Sequence, residues 1–178
     1  MKPLVRPARV ADAAAIARIY VDGWRDAYPG LLPDKVLLDM TEERQAIAWA
    51  ATIAKDRGRG LVRVATLDGR VAGFGSAGRS RFTALPYGSE LYTLYVEREA
   101  RDHGLGRALV RELFATLARL GHGSAMVWVL SGNPARHFYA SLGGRLVAEW
   151  TERQWGAEVR QAAYGWSDIA ALSAPRAR

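Results

Sequence analysis

One β-α-β unit limits the possible folds of this chain more than any other segment. Residues 90–96 and 125–130 are rich in β-forming apolar residues, and each run predicts a strand. Between them, residues 105–120 carry the apolar spacing of an amphipathic helix that ends at Gly121. Two strands joined through a helix lie parallel, and the crossover is right-handed in nearly all proteins. The fold should therefore contain at least one parallel pair of strands.

The segments on either side of this unit predict antiparallel structure. An Asp-Gly pair at positions 68–69 separates two β-rich runs, which is typical of a tight hairpin. The predicted strands are 5–8, 61–67, 70–77, 90–96, 125–130, 145–151 and 158–166, and the predicted helices are 13–20, 41–55, 105–120 and 133–142. This order, β-α-α-β-β-β-α-β-α-β-β, predicts a mixed, mostly antiparallel α/β sheet of about six to seven strands.

Local signals set the ends of the two N-terminal helices. Asp12 and Thr41 stand immediately before helix-forming segments and are predicted N-caps. Residues 24–30 contain Pro29 and Gly30, so this segment is expected to break the first helix. In the same way, Pro134 suits the first turn of the helix that begins at Asn133.

Length and composition predict one domain without a metal site. The chain has 178 residues, 49% of them hydrophobic, which is enough for a single core. Residues 1–170 are expected to form the domain and residues 171–178 a disordered tail. The absence of cysteine excludes disulfides, cysteine nucleophiles and thiolate metal ligands. His103, His122 and His137 lack the paired helical spacing of metal ligands, so no metal is expected.

Charge and hydropathy limit the cellular locations and the binding partners that can be expected for this protein. No apolar run reaches the roughly 18 residues of a membrane span, and the first residues lack the apolar stretch of a secretory signal, so we expect a cytoplasmic protein. The net charge of +7 would suit nucleic acid or any polyanion. However, the basic residues are spread along the chain without a nucleic-acid reader motif, so nucleic acid is not an expected partner.

A basic turn that contains two glycines opens the helix of the β-α-β unit. It begins at Arg101, ends at Arg107 and includes Gly104 and Gly106. Free N–H groups at a helix start attract phosphate oxygens, and glycine lets an anion approach the backbone. The turn therefore predicts an anion site. A tight turn without any ligand is the alternative that this segment alone leaves open.

Two motifs together carry a resemblance to a known family. The first is Gln/Arg-x-x-Gly-x-Gly/Ala between a strand and a helix, and the second begins with Asn and ends with Phe-Tyr before a glycine. They are matched by Arg101, Gly104 and Gly106, and by Asn133, Arg136, Phe138, Tyr139 and Gly143. With this order and separation, the chain resembles the GNAT N-acetyltransferase superfamily over nearly its whole length. Arg98, where proline is common, and Gly144, where an aromatic residue often stands, depart from the pattern.

The resemblance implies a GNAT fold and an acetyl-CoA-dependent N-acetyltransferase. The acetyl group would pass to a primary amine of a small molecule or peptide by direct attack in a ternary complex. The segment 94–96 would separate from 127–129 and leave backbone groups for the pantetheine arm. The implied cofactor residues are Leu94, Tyr95, Val96, Arg101, Asp102, His103, Gly104, Leu105, Gly106, Arg107, Ala108, Asn133, Arg136 and Phe138.

Two residues are candidates for proton transfer in this reaction. Tyr139 is the candidate general acid, because its phenol could protonate the departing CoA thiolate. Glu90, at a family location for the base, could take the proton of the amine directly or through water. Its alternative reading is an exposed carboxylate at a strand edge.

The sequence gives less information about the acceptor site and the oligomeric state. Aromatic residues that could line an acceptor pocket are Trp24, Tyr28, Tyr87, Trp155 and Tyr164, and Trp150, Trp155 and Trp166 could equally form a homodimer face. A non-catalytic acyl-CoA-binding regulatory module of the same fold is the alternative function. The identity of the acceptor amine is left open at this point.

Overall fold

The computed structural model describes residues 4–154 and 156–173, and these contain one seven-stranded sheet. The strands are β1 (Leu4–Pro7), β2 (Val62–Leu67), β3 (Arg70–Arg79), β4 (Ser89–Val96), β5 (Ala125–Leu130), β6 (Arg145–Gln154) and β7 (Ala157–Trp166). The helices are α1 (Ala13–Ala27), α2 (Asp34–Leu38), α3 (Glu42–Asp56), α4 (Leu105–Arg119), α5 (Ala135–Ser141) and α6 (Ala170–Ser173).

The sheet has the mixed topology that the sequence predicts. Its order is β1-β2-β3-β4-β5-β7-β6, in which β4 and β5 run parallel and all other neighbours run antiparallel. The crossover between the parallel strands is α4, as the β-α-β pattern requires. The α/β fold class and the predicted strand number are thus confirmed.

Helices cover both faces of the sheet. On one face α4 buries Leu109, Leu113 and Leu117. On the other face α1 and α3 pack Ile16 and Trp49 against strands β2 and β3. Each helix turns one apolar stripe towards the sheet, which is the amphipathic pattern seen in the sequence.

The parallel strands β4 and β5 part soon after they meet. Their register contains only the pairs Ser89↔Ala125 and Glu90↔Met126 within the described chain. The pairing of β3 with β4 shifts register between Ser76 and Ala77. Such a bulge commonly bends the strand that contains it, here β4. Beyond this point β4 keeps its pairing with β3 but leaves β5, so the predicted separation of the two strands is present in the structure.

The first helix is longer than predicted. It continues to Ala27 instead of ending near Tyr20, and it ends within residues 24–30, the segment predicted to break it. The ring of Trp24 packs on that of Tyr20, one turn earlier, at 5.6 Å between centroids. The helix ends at Tyr28 because a residue that precedes proline is disfavoured in helical conformation.

The two predicted N-caps behave differently. Thr41 caps α3 as expected, since its hydroxyl accepts from the N–H of Arg44 at 3.4 Å. Asp12 stands at the start of α1 without capping it through its side chain. Its carboxylate instead accepts from the N–H of Arg9 and pairs with Arg6 at 2.7 Å, which ties β1 to the helix. This pairing lowers the pKa of Asp12.

The remaining differences are local. The five-residue helix α2 was not predicted, because a helix this short has no measurable periodicity. Helix α6 includes the first three residues of the predicted tail, and residues 174–178 lie outside the described residues. Trp155 also lies outside them. No helix in the described chain is long and apolar enough to cross a bilayer.

Candidate active site

A cleft of about 730 Å³ lies beside the part of β4 that has left β5. Four segments line it, namely the last turns of α1, the end of β4, the glycine turn before α4 and the start of α5. All the residues predicted for the cofactor line this cleft except His103, Ala108 and Arg136. The candidate acid Tyr139 lines it as well. The two sequence motifs, about thirty positions apart, thus meet in one place.

The three predicted cofactor residues that do not line the cleft make contacts elsewhere. His103 Nδ1 lies 2.8 Å from the carbonyl oxygen of Arg101, within the turn itself. Arg136 is exposed and donates to the carbonyl oxygen of Ser131 at 3.2 Å. Ala108 is further along α4, where its N–H already donates to Gly104.

The two glycines of the turn are needed for different reasons. Gly104 has a φ of +78° and stands at the N-cap of α4, a conformation that other residues adopt only with strain. At Gly106, a Cβ would lie 3.3 Å from Cζ of Phe138, so glycine permits the close approach of α4 and α5. Together they leave the N–H groups at the start of α4 facing the cleft.

The guanidinium of Arg101 is anchored rather than free. Its Nη2 donates to Oδ2 of Asp26 at 2.6 Å, which fastens the turn to the end of α1. The pairing with Asp26 was not predicted, because the two residues are 75 positions apart. Arg107 also lines the cleft.

A buried carboxylate fixes the end of β4 next to this turn. Glu97 binds Arg70 at 2.6 Å and also binds Arg18, so it joins β4 to the β2–β3 hairpin and to α1. Two cations around one buried acid hold the strand that lines the cleft. None of these contacts has a local sequence signal.

Two tyrosines, Tyr95 and Tyr139, line the cleft, and Tyr28 lies close to both. The hydroxyls of Tyr28 and Tyr95 lie 3.2 Å apart, while Tyr139 is only 6% exposed and packs edge-on against Phe138 and Trp166. Burial raises the pKa of Tyr139 well above the ordinary value of a phenol, and the nearby Tyr28 raises it further. Tyr139 is therefore protonated throughout the physiological pH range.

Asn133 connects this cluster to α5. Its Oδ1 accepts from the N–H of Ala135 at 2.9 Å, which organises the start of the helix after Pro134. Its side chain also hydrogen-bonds Tyr28 and thereby moderates the rise in that residue's pKa, which comes mainly from burial. Asn133 therefore links the second motif to the loop that follows α1.

Packing explains why glycine stands at position 144, where the second family motif often has an aromatic residue. A Cβ there would lie 2.7 Å from Cζ2 of Trp166 and 2.9 Å from the carbonyl oxygen of Tyr139. The indole of Trp166, which donates to the carbonyl oxygen of Leu142 at 3.0 Å, occupies this space. Trp166 is thus buried in the core, and its proposed place on a homodimer face was wrong.

Glu90 is buried rather than exposed at a strand edge. Only 2% of it is accessible, so that alternative was wrong. Its carboxylate accepts from the backbone N–H and the Nε of Arg81 at 3.0 and 3.2 Å, and pairs with the Nη2 of the same residue at 2.5 Å. Glu90 faces a second cavity, of about 380 Å³, rather than the cleft itself.

The predicted acceptor aromatics that the structure describes line neither the cleft nor the second cavity. Trp24 packs against Tyr28 at 4.9 Å between ring centroids, and Tyr87 lies over Gly165 of β7. Tyr164 packs against the main core. Tyr28 contacts Tyr95, which lines the cleft, but does not line it itself.

The second cavity was not predicted as a unit. Its lining combines the loop before β4 with strands β4, β5, β6 and β7. The lining residues are Arg81, Phe82, Glu90, Trp128, Trp150, Glu152, Gln154 and Gln161. Only the fold of the sheet brings these positions together. In neither cavity, nor elsewhere in residues 4–154 and 156–173, do three His, Asp or Glu side chains come close enough to hold a metal ion.

Comparisons with known proteins agree with this geometry. The model of the family described as FR47-like protein matches residues 81–155. An uncharacterized N-acetyltransferase, YuaI of Bacillus subtilis (strain 168), is 32% identical over 94% of this chain and 95% of its own length. Among solved structures, YncA of Salmonella typhimurium, a putative acetyltransferase with its cofactor acetyl-CoA, has a TM-score of 0.72 at 23% identity, with full coverage of both chains.

A further solved structure is a ribosomal-protein-alanine N-acetyltransferase from Brucella melitensis. It is 26% identical, with a TM-score of 0.70 and coverage of 92% of this chain and 98% of its own. The similarity to YuaI extends over nearly the whole of both chains, and the fold and both sequence motifs agree with it. The chain therefore belongs to the GNAT superfamily of acetyl-CoA-dependent N-acetyltransferases.

Proposed function

We propose that this protein transfers the acetyl group of acetyl-CoA to a primary amine of a small molecule or peptide, by direct attack in a ternary complex. The observation that carries this proposal is the cleft, in which an unpaired strand edge, a helix N-terminus and a buried phenol meet. These are the groups needed to hold a pantetheine arm, bind a pyrophosphate and protonate a thiolate. The cytoplasmic location predicted from the sequence is part of this proposal.

The residues of the cleft fit acetyl-CoA in two sections. The pyrophosphate would lie against the N–H groups at the start of α4, where Gly104 and Gly106 leave the backbone accessible and Arg107 adds positive charge. The pantetheine amides would pair with the free edge of β4 near Leu94 and Val96, as an added strand does.

The reaction needs two proton transfers and no acyl-enzyme intermediate. The amine nitrogen attacks the thioester carbonyl carbon, the C–S bond breaks, and the thiolate sulfur takes the proton of the Tyr139 hydroxyl. The proton that the amine must lose passes to Glu90, directly or through water. The chain has no cysteine that could carry the acetyl group, which supports direct attack.

The base is tested by Glu90→Gln. We expect kcat to fall about 100-fold or more, which is the usual cost of removing a general base, while the affinity for acetyl-CoA is kept, because Glu90 does not line the cleft. Steady-state rates separate this role from a structural one, since kcat should fall while the KM for acetyl-CoA stays unchanged. Glu99→Gln, on the exposed surface, is the matched control. Full activity of Glu90→Gln would reject the assignment.

The proposed function itself is tested by binding and turnover. Acetyl-CoA should raise the melting temperature, because a ligand that binds only the folded state stabilises it. Thiol release in the presence of a panel of primary amines should then identify acceptors. No shift with well-folded protein would contradict the cofactor site, and a shift without thiol release from any amine would contradict catalysis.

A further inference from the structure

We propose that the second cavity is the acceptor site, and that it takes a primary amine with a second cationic group at the far end of an apolar chain, as an α,ω-diamine has. This inference rests on the proposed function and specifies its substrate class. It is carried by the position of the cavity at the point where β4 and β5 separate, by its aromatic walls and by one carboxylate that has no cationic partner in the part of the chain that the structure describes.

The cavity lies on the sheet face opposite α4 and begins at that point of separation. Leu91 and Val127 pack into the core cluster that contains α4 residues. Because side chains alternate along a strand, their neighbours Glu90 and Trp128 point to the opposite face. Glu90 belongs to the last pair that joins β4 to β5. An amine at this end of the cavity would thus reach the point where the strands open, with the candidate base beside it.

Aromatic rings form the middle of the cavity. Phe82 packs edge-on against Trp128 at 5.2 Å and against Trp150 at 6.3 Å between ring centroids. Trp150 is 52% exposed although it is a large apolar residue. Such rings cover the methylene groups of an alkyl chain and also attract a cation at their faces. A ligand with an apolar chain and a positive end suits both properties.

The charges at the two ends of the cavity differ. At the inner end, Glu90 is matched by Arg81, which binds both of its oxygens. At the outer end, Glu152 accepts from the neutral side-chain amides of Gln154 and Gln161, the latter at 2.7 Å. Within residues 4–154 and 156–173, Glu152 forms no ion pair.

Glu152 is therefore a fixed negative group without a cationic partner among the described residues. Two amides hold one of its oxygens in place, so little side-chain freedom remains to be lost when a ligand binds. The cavity contains two acidic side chains and one basic side chain, although the whole protein carries a net charge of +7. The negative charge of the cavity favours a cationic ligand, although the protein as a whole is positively charged.

The two acids belong to strands that are separated by β5 and β7, so a ligand that meets both must be extended. The reacting amine would lie at the Glu90 end, where it is deprotonated for attack. The second amine would keep its proton and bind Glu152. The guanidinium of Arg81 is already engaged by Glu90, so the described lining of the cavity offers no free cation for the carboxylate of an amino acid.

The test compares 1,5-diaminopentane with 1-aminopentane, which lacks only the second amine. Wild-type enzyme should show a kcat/KM, measured by thiol release, about tenfold or more higher for the diamine, because a charge-assisted bond to Glu152 is added. Glu152→Gln preserves the shape of the side chain and should reduce this ratio to near one. Glu149→Gln, an exposed acid on the same strand, should leave the ratio unchanged.

Binding supplies a readout that does not need turnover. Calorimetry on the enzyme loaded with CoA should give a dissociation constant about tenfold lower for the diamine than for the monoamine, and Glu152→Gln should abolish the difference. Equal binding of both amines, or a ratio that survives Glu152→Gln, overturns the inference. A preference for amino acids by an active enzyme also overturns it and leaves the proposed function intact. Failure of the proposed function is recognised separately, by no thermal shift with acetyl-CoA.

Discussion

Tyr139→Phe is expected to lower kcat about 100-fold or more, because it removes the proton donor for the departing thiolate. The affinity for acetyl-CoA should change less than about twofold, because the ring keeps its edge-on contacts with Phe138 and Trp166. Single-turnover rates and acetyl-CoA titrations measure the two quantities separately. A variant that retains full turnover would exclude Tyr139 as the acid.

The pH dependence gives the same assignment a second test. A phenol is the active acid in its neutral form, and burial raises the pKa of Tyr139. The donor therefore keeps its proton as the pH passes the ordinary phenol pKa of about 10. The wild-type kcat should not fall between about pH 8 and 10 through loss of this proton. A fall in this interval that Tyr139→Phe removes would contradict the prediction.

Tyr95→Phe is the matched control, because Tyr95 lines the same cleft and its hydroxyl already pairs with Tyr28. We expect it to cost less than about tenfold in kcat. If Tyr95→Phe proves much more damaging than Tyr139→Phe, the acid is Tyr95 and the roles of the two phenols must be exchanged.

Gly106→Asp should weaken acetyl-CoA binding by at least about 100-fold, which corresponds to about 2.7 kcal/mol. The new carboxylate would lie in the first turn of α4 and repel the pyrophosphate that this helix start should attract. Its Cβ would also lie 3.3 Å from the ring of Phe138. The thermal shift with acetyl-CoA, together with a titration, measures the loss.

Two further glycine variants separate the causes of this loss. Gly106→Ala adds the Cβ without the charge and should retain most of the binding. Gly123→Asp adds a carboxylate where nothing lies within 4 Å of the new Cβ, so it should leave the thermal shift unchanged. Undiminished binding by Gly106→Asp would place the pyrophosphate elsewhere.

Local patterns were sufficient to predict most elements of the fold. The Asp-Gly hairpin, α4 and β5 depend on contacts between near neighbours in the sequence, and each is present where it was predicted. The length of α1 was underestimated because Trp24 packs on Tyr20 within the helix, which ends only just before Pro29. Short α2 had no periodicity to detect.

The cofactor half of the site was predictable for the same reason. Gly104 provides the positive φ of one turn, and Asn133 accepts from the N–H of Ala135 two positions later, so these roles follow from short-range geometry. The ion-pair partners of the charged residues could not be predicted in this way. Asp26 on Arg101, and Arg81 on Glu90, are contacts between separate elements, and no local pattern specifies which acid meets which base.

The sequence by itself determined the order of the elements, the glycine turn and the family motifs, because each is encoded by residues a few positions apart. Only the tertiary structure decided the rest. It buried Glu90, placed Trp166 in the core, and assembled Phe82, Trp128 and Glu152 into one cavity. These positions lie on different strands, and side chains on different strands become neighbours only when the register and the alternation of the whole sheet are fixed.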